Sequence, residues 1–272
     1  MNIFFDIHCH VVPNIDDGSA SLTESIAMAK TAMLDGTTSM IATPHQLGTN
    51  RHVSVEAILD GVSKLQSALC KNEIPVSIRP GADVRIDPEL PKILKHGKVL
   101  TLADRGKHVL LELPHDTYYP IDQLLKALRK QGLVGILSHP ERNRGIIKNP
   151  DVMWDVIEAG GLLQITAASL TGSFGLSCQE IAELAVDEGL IHFIASDAHN
   201  TEHRPFGMRE AYDTICDMGG EKLADLVCCE NPSRVFEGDD VKGGLVGKTA
   251  RRSTQKRVKK QKKGFGFGWF DH

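Results

Sequence analysis

The sequence predicts an α/β protein of the β/α-barrel type, and three observations predict it. Short β-branched runs alternate with amphipathic stretches almost from the first residue, as expected of parallel strands joined by crossover helices. Seven such runs fit in about 240 residues, which suits a closed or nearly closed barrel better than two open sheets. Side chains of metal-ligand type recur where the runs end, and β/α barrels carry their working residues at the C-terminal ends of strands.

Taken in order, the first strand covers residues 3–7, opens on Ile3, Phe4 and Phe5, and ends in Asp6-Ile7-His8-Cys9-His10. A helix follows over 22–35, with apolar positions three and four apart and Gly36 as its stop. The second strand, 39–43, ends in Thr43-Pro44-His45, and a helix spans 55–71. The third, 76–80, runs into Gly81-Ala82-Asp83, and the fourth, 109–112, closes with Glu112. Helical spacing over 121–131 stops at Gly132; the fifth strand, 134–138, then ends in Ser138-His139. A helix over 150–159 stops at Gly160, and the sixth strand, 163–166, offers only Gln164 and Thr166. After a helix over 179–188 that stops at Gly189, the seventh strand, 192–196, ends in Ser196-Asp197-Ala198-His199. Two more helices are expected over 206–218 and 221–229.

The 272 residues, 41% apolar and 24% charged, are those of a globular chain rather than a disordered or fibrous one. Apolar stretches such as 109–113 fall far short of the roughly 20 residues of a spanning helix. Asp6 comes too early for a signal peptide. The expected location is cytoplasmic. Six cysteines follow no disulfide framework or zinc-knuckle spacing, which agrees.

The net charge of −4 hides an asymmetry, because nine Lys and Arg but only Asp271 fall from Gly247 onward, leaving 22 basic and 34 acidic groups before it. Apolar periodicity stops at the same point. The chain therefore divides into a domain over 1–246 and a basic tail over 247–272, expected to be disordered, with an aromatic tip of Phe265, Phe267, Trp269 and Phe270.

His8 and His10 flank Cys9 on a strand, so both imidazoles point to one side and can share an ion. A His-x-His alone fits a structural pair equally well. Five of the twelve histidines, however, stand at strand ends with Asp83, Glu112 and Asp197. Polar groups converging on one mouth must be paired or metallated. Imidazole and carboxylate without a thiolate cluster favour Mn²⁺, Fe²⁺, Co²⁺ or Zn²⁺. The eight donors exceed what one cation takes, so two or three bridged ions are expected, about 3.5–4 Å apart. Arg142 and Arg204 lie just beyond the fifth and seventh strands and offer bidentate phosphate recognition. Salt bridges to Glu141 and Glu202 are the bland alternative.

The ordered set Asp6-Ile7-His8-Cys9-His10, Asp16-Asp17-Gly18, Ala42-Thr43-Pro44-His45, Pro80-Gly81-Ala82-Asp83, Leu111-Glu112-Leu113-Pro114, Ser138-His139-Pro140-Glu141-Arg142 and Ala195-Ser196-Asp197-Ala198-His199-Asn200 resembles the polymerase-and-histidinol-phosphatase (PHP) superfamily. Its nearest branch is the bacterial capsule-type (CpsB-like) tyrosine-protein phosphatases. The resemblance covers residues 1–237, including Glu230-Asn231-Pro232-Ser233-Arg234. It implies a distorted seven-stranded (β/α)7 TIM-like barrel with a trinuclear, usually manganese, site. His8, His10, Glu112 and Asp197 would surround one ion, Asp83, Glu112 and His139 a second, and His45 and His199 a third. Arg142 and Arg204 would bind phosphate. Asp83 departs from the family, which usually has Glu there, and the tail after Gly247 is no part of it.

The implied activity is hydrolysis of phosphotyrosine on a membrane-associated bacterial tyrosine autokinase that controls capsule or exopolysaccharide synthesis. Metal-activated hydroxide attacks phosphorus in line and the metals and arginines neutralise the oxygens. The phenolate, with a pKa near 10, needs less help to leave than an alkoxide, and His199, Asp197 or a metal-bound water is available to give it a proton, a choice the sequence leaves open. Cys229-Glu230-Asn231-Pro232-Ser233-Arg234 and Cys228 mimic a thiolate phosphatase, but the segment ends a helix, lacks glycine and loses a donor to Pro232. The rivals are a metal amidohydrolase, which the extra donors His45 and Asp83 disfavour; a small phosphomonoesterase of histidinol-phosphatase type; and a non-catalytic phosphoprotein adaptor. The basic tail fits a solvated terminus or an anionic membrane surface; a nucleic-acid contact is the least favoured. His203 and the loop residues Asp16 and Asp17 are minor candidates, and oligomeric state is left open.

Overall fold

The computed structural model describes residues 3–242. Its elements alternate as the hydrophobic pattern requires: β1 (Phe4–Cys9), α1 (Leu22–Asp35), β2 (Thr37–Ala42), β3 (His45–Gln46), α2 (Val55–Lys71), β4 (Ser77–Pro80), β5 (Asp83–Arg85), α3 (Leu90–Lys95) and β6 (His108–Glu112). Then come α4 (Asp122–Lys130), β7 (Val134–Ser138), α5 (Arg144–Lys148), α6 (Val152–Glu158), β8 (Leu162–Thr166), α7 (Ala167–Leu170), α8 (Leu176–Asp187) and β9 (Phe193–Ala195). Last are α9 (Met208–Gly219), α10 (Glu221–Asp225) and α11 (Asn231–Glu237).

All strand pairs are parallel, in a sheet of order β1-β2-β4 and a second of order β3-β5-β6-β7-β8-β9. The seven expected strands are all present, and two short ones, β3 and β5, add to them. Only Thr43 and Pro44 separate β2 from β3, and only Gly81 and Ala82 separate β4 from β5. Pro44 has no N–H to give a ladder. Gly81 passes so close to β2 that a Cβ there would stand 2.7 Å from Ile41 Cγ2. The N–H of Gly81 still donates to Ala42 O at 2.9 Å and that of Asp83 to Pro44 O at 3.2 Å, so the chains run on side by side. Beyond β9, Ala198 bridges in parallel to Cys9, and His10 N–H donates to Ala198 O at 2.8 Å.

The helices form where caps and apolar spacing coincide. Ser21 caps α1 by accepting from Glu24 N–H at 3.1 Å, and Gly36, at φ 103°, closes it. Ser54 caps α2, which buries Ile58, Val62, Leu65 and Leu69 along one face. The helix expected to stop at Cys229 instead continues: a π-helical turn over Leu226–Glu230 joins α10 to α11. Pro232 follows that π turn, at the start of α11. Among the described residues no helix is long and apolar enough to cross a membrane. The tail over 247–272 lies outside the described residues.

Strands and helices share one large apolar cluster, while a second, smaller one lies among the strands. Ile7, Ile41, Leu110, Ile136 and Phe193, from β1, β2, β6, β7 and β9, meet there with Val235 and Phe236 of α11. All five strand residues are fully buried. This apolar plug lies below the C-terminal ends of the strands, which carry the polar groups.

Candidate metal centre

The donors above the plug are arranged by hydrogen bonds that fix their lone pairs. His8 Nδ1 faces Gln164 Oε1 at 2.8 Å and His10 Nδ1 faces Asp16 Oδ2 at 2.7 Å. Each Nδ1 must carry the proton, which leaves both Nε2 atoms as bare acceptors in the neutral rings. Those two Nε2 atoms stand 3.3 Å apart in a fully buried place. In the neutral rings both lone pairs can bind a cation between them; without an ion His10, held protonated by Asp16 and Asp197, can donate to His8 Nε2 instead.

Asp197 completes this corner. Its Oδ1 lies 3.3 Å from His8 Nε2 and 3.4 Å from His10 Nε2, while Oδ2 takes the guanidiniums of both Arg142 and Arg204. Neither arginine pairs with Glu141 or Glu202 among the described residues. Glu141 instead accepts from Thr166 N–H. Asp197 and His139 both have left-handed backbones, at φ 52° and 32°, a strained choice for non-glycine residues that turns the chain sharply off β9 and β7.

Asp83 is fully buried, and its Oδ2 has His45 Nδ1 at 3.3 Å, His8 Nε2 at 3.7 Å and His139 Nε2 at 4.0 Å. Neither Asp83 Oδ2 nor His45 Nδ1 makes a hydrogen bond, nor does His199 Nε2. Buried orphan atoms facing one another at this range are costly unless an ion lies among them. His45 Nδ1 also lies 3.6 Å from Glu112 Oε2, which Arg85 approaches at 3.1 Å.

The electrostatics have the same origin. Burial and the neighbouring Asp83 push the Glu112 carboxyl up to about 7. Burial opposes charge on His10, yet Asp16 and Asp197 outweigh it and hold the ring up to about 10. Burial, then Arg142, keeps His139 well below the usual imidazole range. Burial also raises Asp197, but His8, His10 and the two arginines together hold it well below the usual carboxylate range.

Side-chain donors fall into four overlapping groups: His8, His10 and Asp197; His8, Asp83 and His139; His45, Asp83 and Glu112; and His10, Asp17, His45 and His199. Every donor expected from the sequence is in one of them. Glu112 sits with His45 and Asp83 rather than with His8 and His10, a different division from the one the resemblance implies. Asp17 joins as a ninth donor, its Oδ1 3.5 Å from His45 Nε2 and from His199 Nε2. No local pattern distinguishes Asp17 from Asp16; only the loop's path puts one on the ion side and the other behind His10. Gln164 orients His8 rather than serving as a donor itself. His203 is exposed, and His108 and His192 are buried away from the mouth.

The donor set, the orphan atoms and the tautomers fit divalent cations with imidazole and carboxylate ligands. Fold and site together define a parallel α/β protein whose strand ends gather candidate metal-binding groups beside two arginines. The family described as capsular polysaccharide synthesis, CpsB/CapC, matches residues 4–237, and the chain belongs to it. The tyrosine-protein phosphatase YwqE of Bacillus subtilis is 38% identical over 220 residues, 80% of this chain and 86% of that one. The tyrosine-protein phosphatase CpsB of Streptococcus pneumoniae is 26% identical over 237 residues, 85% and 97% of the two chains. A crystal structure from work on these two proteins, described as metal-dependent tyrosine phosphatases, superposes with a TM-score of 0.84 at 34% identity, covering 88% of this chain and 96% of that one.

Proposed function

We propose that the chain is a manganese-dependent protein-tyrosine phosphatase acting on a membrane-associated bacterial tyrosine kinase of capsule or exopolysaccharide synthesis. The observation that carries the reading is Asp197, which turns one oxygen to His8 and His10 and the other to Arg142 and Arg204. A phosphoryl group drawn to the arginines is thereby brought against the donors. In this reading the two sheets form a distorted barrel of seven staves, β2–β3 and β4–β5 counting as one each, closed where residues 196–198 meet β1.

Nine side chains hold the ions: His8, His10, Asp17, His45, Asp83, Glu112, His139, Asp197 and His199. Bound there, two or three divalent ions supply Lewis acidity and an acidified water as nucleophile. Arg142 and Arg204 bind and orient the phosphoryl oxygens and neutralise charge that grows on them. His199 Nδ1 donates to Asp197 O at 2.9 Å, which leaves Nε2 a lone pair suited to a cation and not to protonating a leaving group. A phenolate with a pKa near 10 departs without that proton more readily than an alkoxide. Cys228 is fully buried in the large apolar cluster and takes no part.

The domain over 1–246 carries the chemistry in the cytoplasm. The tail over 247–272 supplies Lys and Arg for anionic lipid and four aromatic residues for the interface. Chelator-stripped protein reloaded with Mn²⁺, Co²⁺, Zn²⁺ or Mg²⁺ and assayed on phosphotyrosine peptides tests the activity, with Mn²⁺ expected to restore most. A preference for small alkyl phosphates would instead favour the small-ester reading, and full metal loading without turnover the adaptor. Liposome co-sedimentation of the full chain against a chain ending at Leu245 tests the tail, and equal binding removes its role.

A further inference from the structure

β8 is the strand without a charged donor at its end, and the turn after it brings an aromatic ring to the mouth instead. The segment is Thr171-Gly172-Ser173-Phe174-Gly175. Ser173 N–H donates to Ala168 O at 2.8 Å, tying the turn to α7, and Gly175 N–H donates to Gly172 O at 2.9 Å within the turn. Gly175, at φ 88° and ψ 165°, holds a conformation open essentially to glycine alone, and α8 starts directly after it. The half-buried Phe174 ring receives the Arg142 guanidinium at 4.4 Å and that of Arg204 at 5.8 Å. Leu176, two residues on, is 76% exposed.

We infer that Phe174 is a specificity-determining residue that makes the centre prefer aryl over alkyl phosphomonoesters. The inference rests on the phosphatase reading above. Phosphate oxygens gripped by both guanidiniums lie one hydrogen-bond length from groups already seated on this ring. The organic part of the ester is joined to phosphorus through a single oxygen, so it emerges beside Phe174. A phenyl ring there meets Phe174 in the range over which aromatic pairs attract, whereas the methylene of a phosphoserine presents no such face. The same ring keeps the guanidinium planes from swinging to solvent. Phe174 thus couples recognition of the phosphate to recognition of what carries it.

The test compares wild type, Phe174→Leu and Phe174→Tyr, each reconstituted with Mn²⁺, on phosphotyrosine and phosphoserine peptides of one sequence. Inhibition by phenylphosphonate and methylphosphonate is measured alongside. Phe174→Leu is expected to lower the tyrosine-to-serine ratio of kcat/KM about tenfold, mostly through KM, and the phenyl-to-methyl affinity ratio by a similar factor. Phe174→Tyr restores both ratios. Equal losses on the two peptides, or unchanged ratios, would overturn the inference and leave Phe174 as a seat for the arginines alone. If wild type turned over neither peptide, the phosphatase reading would fail, and the phosphonate ratio would still decide the role of Phe174.

Discussion

The same strands build two regions of opposite character. In their lower halves Ile7, Ile41, Leu110, Ile136 and Phe193 fill the interior with interchangeable apolar volume. A few residues further on, His8, His45, Glu112, His139 and Asp197 crowd polar atoms into a place nearly as buried, where His45 Nδ1 and the neighbouring Asp83 Oδ2 and His199 Nε2 make no hydrogen bond. The lower region explains itself by hydrophobic burial alone. The upper one gathers imidazole and carboxylate donors that a bound cation would stabilise, so it is arranged for function rather than for burial.

The contrast is sharpest if the two regions are damaged separately. Phe193→Ala removes a fully buried ring from the plug and is expected to cost about 3–5 kcal/mol of stability. Urea unfolding would show it, while kcat/KM of the folded fraction stays near wild type. His10→Ala or Asp197→Ala does the reverse: activity with Mn²⁺ falls at least about a hundredfold. The metal-free urea midpoint is expected to fall less than in Phe193→Ala, although each substitution removes attractive partners: His10 is held by Asp16 and Asp197, and Asp197 by His8, His10 and the two arginines. A donor variant that unfolds as badly as Phe193→Ala would erase the distinction.

Buried histidines outside the mouth provide a third comparison. Burial lowers His108 and His192 to about 4 each. Both folded values lie below the unfolded one near 6.5, so the unfolded chain binds more protons between those limits. Stability from these groups is complete above about pH 6.5 and is lost as pH falls toward 4, by roughly 1–2 kcal/mol each at pH 5. Urea midpoints from pH 7.5 to 5 should fall less steeply in His108→Gln and in His192→Gln than in wild type; equal slopes would contradict the assignment. The smallest effect is expected of Cys228→Ser, whose kcat/KM should stay within about twofold because its thiol is buried and inert. Strong loss without unfolding would point to thiolate chemistry.

How much of this was legible in the sequence depended on whether the signal was local. The bounds of α1 and α2 follow from Ser21 and Ser54 as caps and from the apolar spacing between cap and stop. The eight donors stood out because strand ends in such a fold share one mouth. β3 and β5 were hidden, since two- and three-residue strands carry no periodicity and lie just past Pro44 and Gly81. The continuation through Leu226–Glu230 was misread as an end because a π turn leaves no mark like a glycine or a cap. Asp17, Gln164 and Phe174 gain their meaning from what lies across the mouth. An oxygen 3.5 Å from two imidazoles, an amide behind His8 and a ring under two guanidiniums are facts of tertiary packing.

Metal content decides the central claim most directly. Protein stripped by chelator, reloaded with Mn²⁺ and desalted should retain two or three ions per chain, and His10→Ala should lose at least one of them while remaining folded. Retention of less than about 0.2 ion per chain, in wild type that still hydrolyses phosphotyrosine, would contradict the account, because the chemistry would then need no cation.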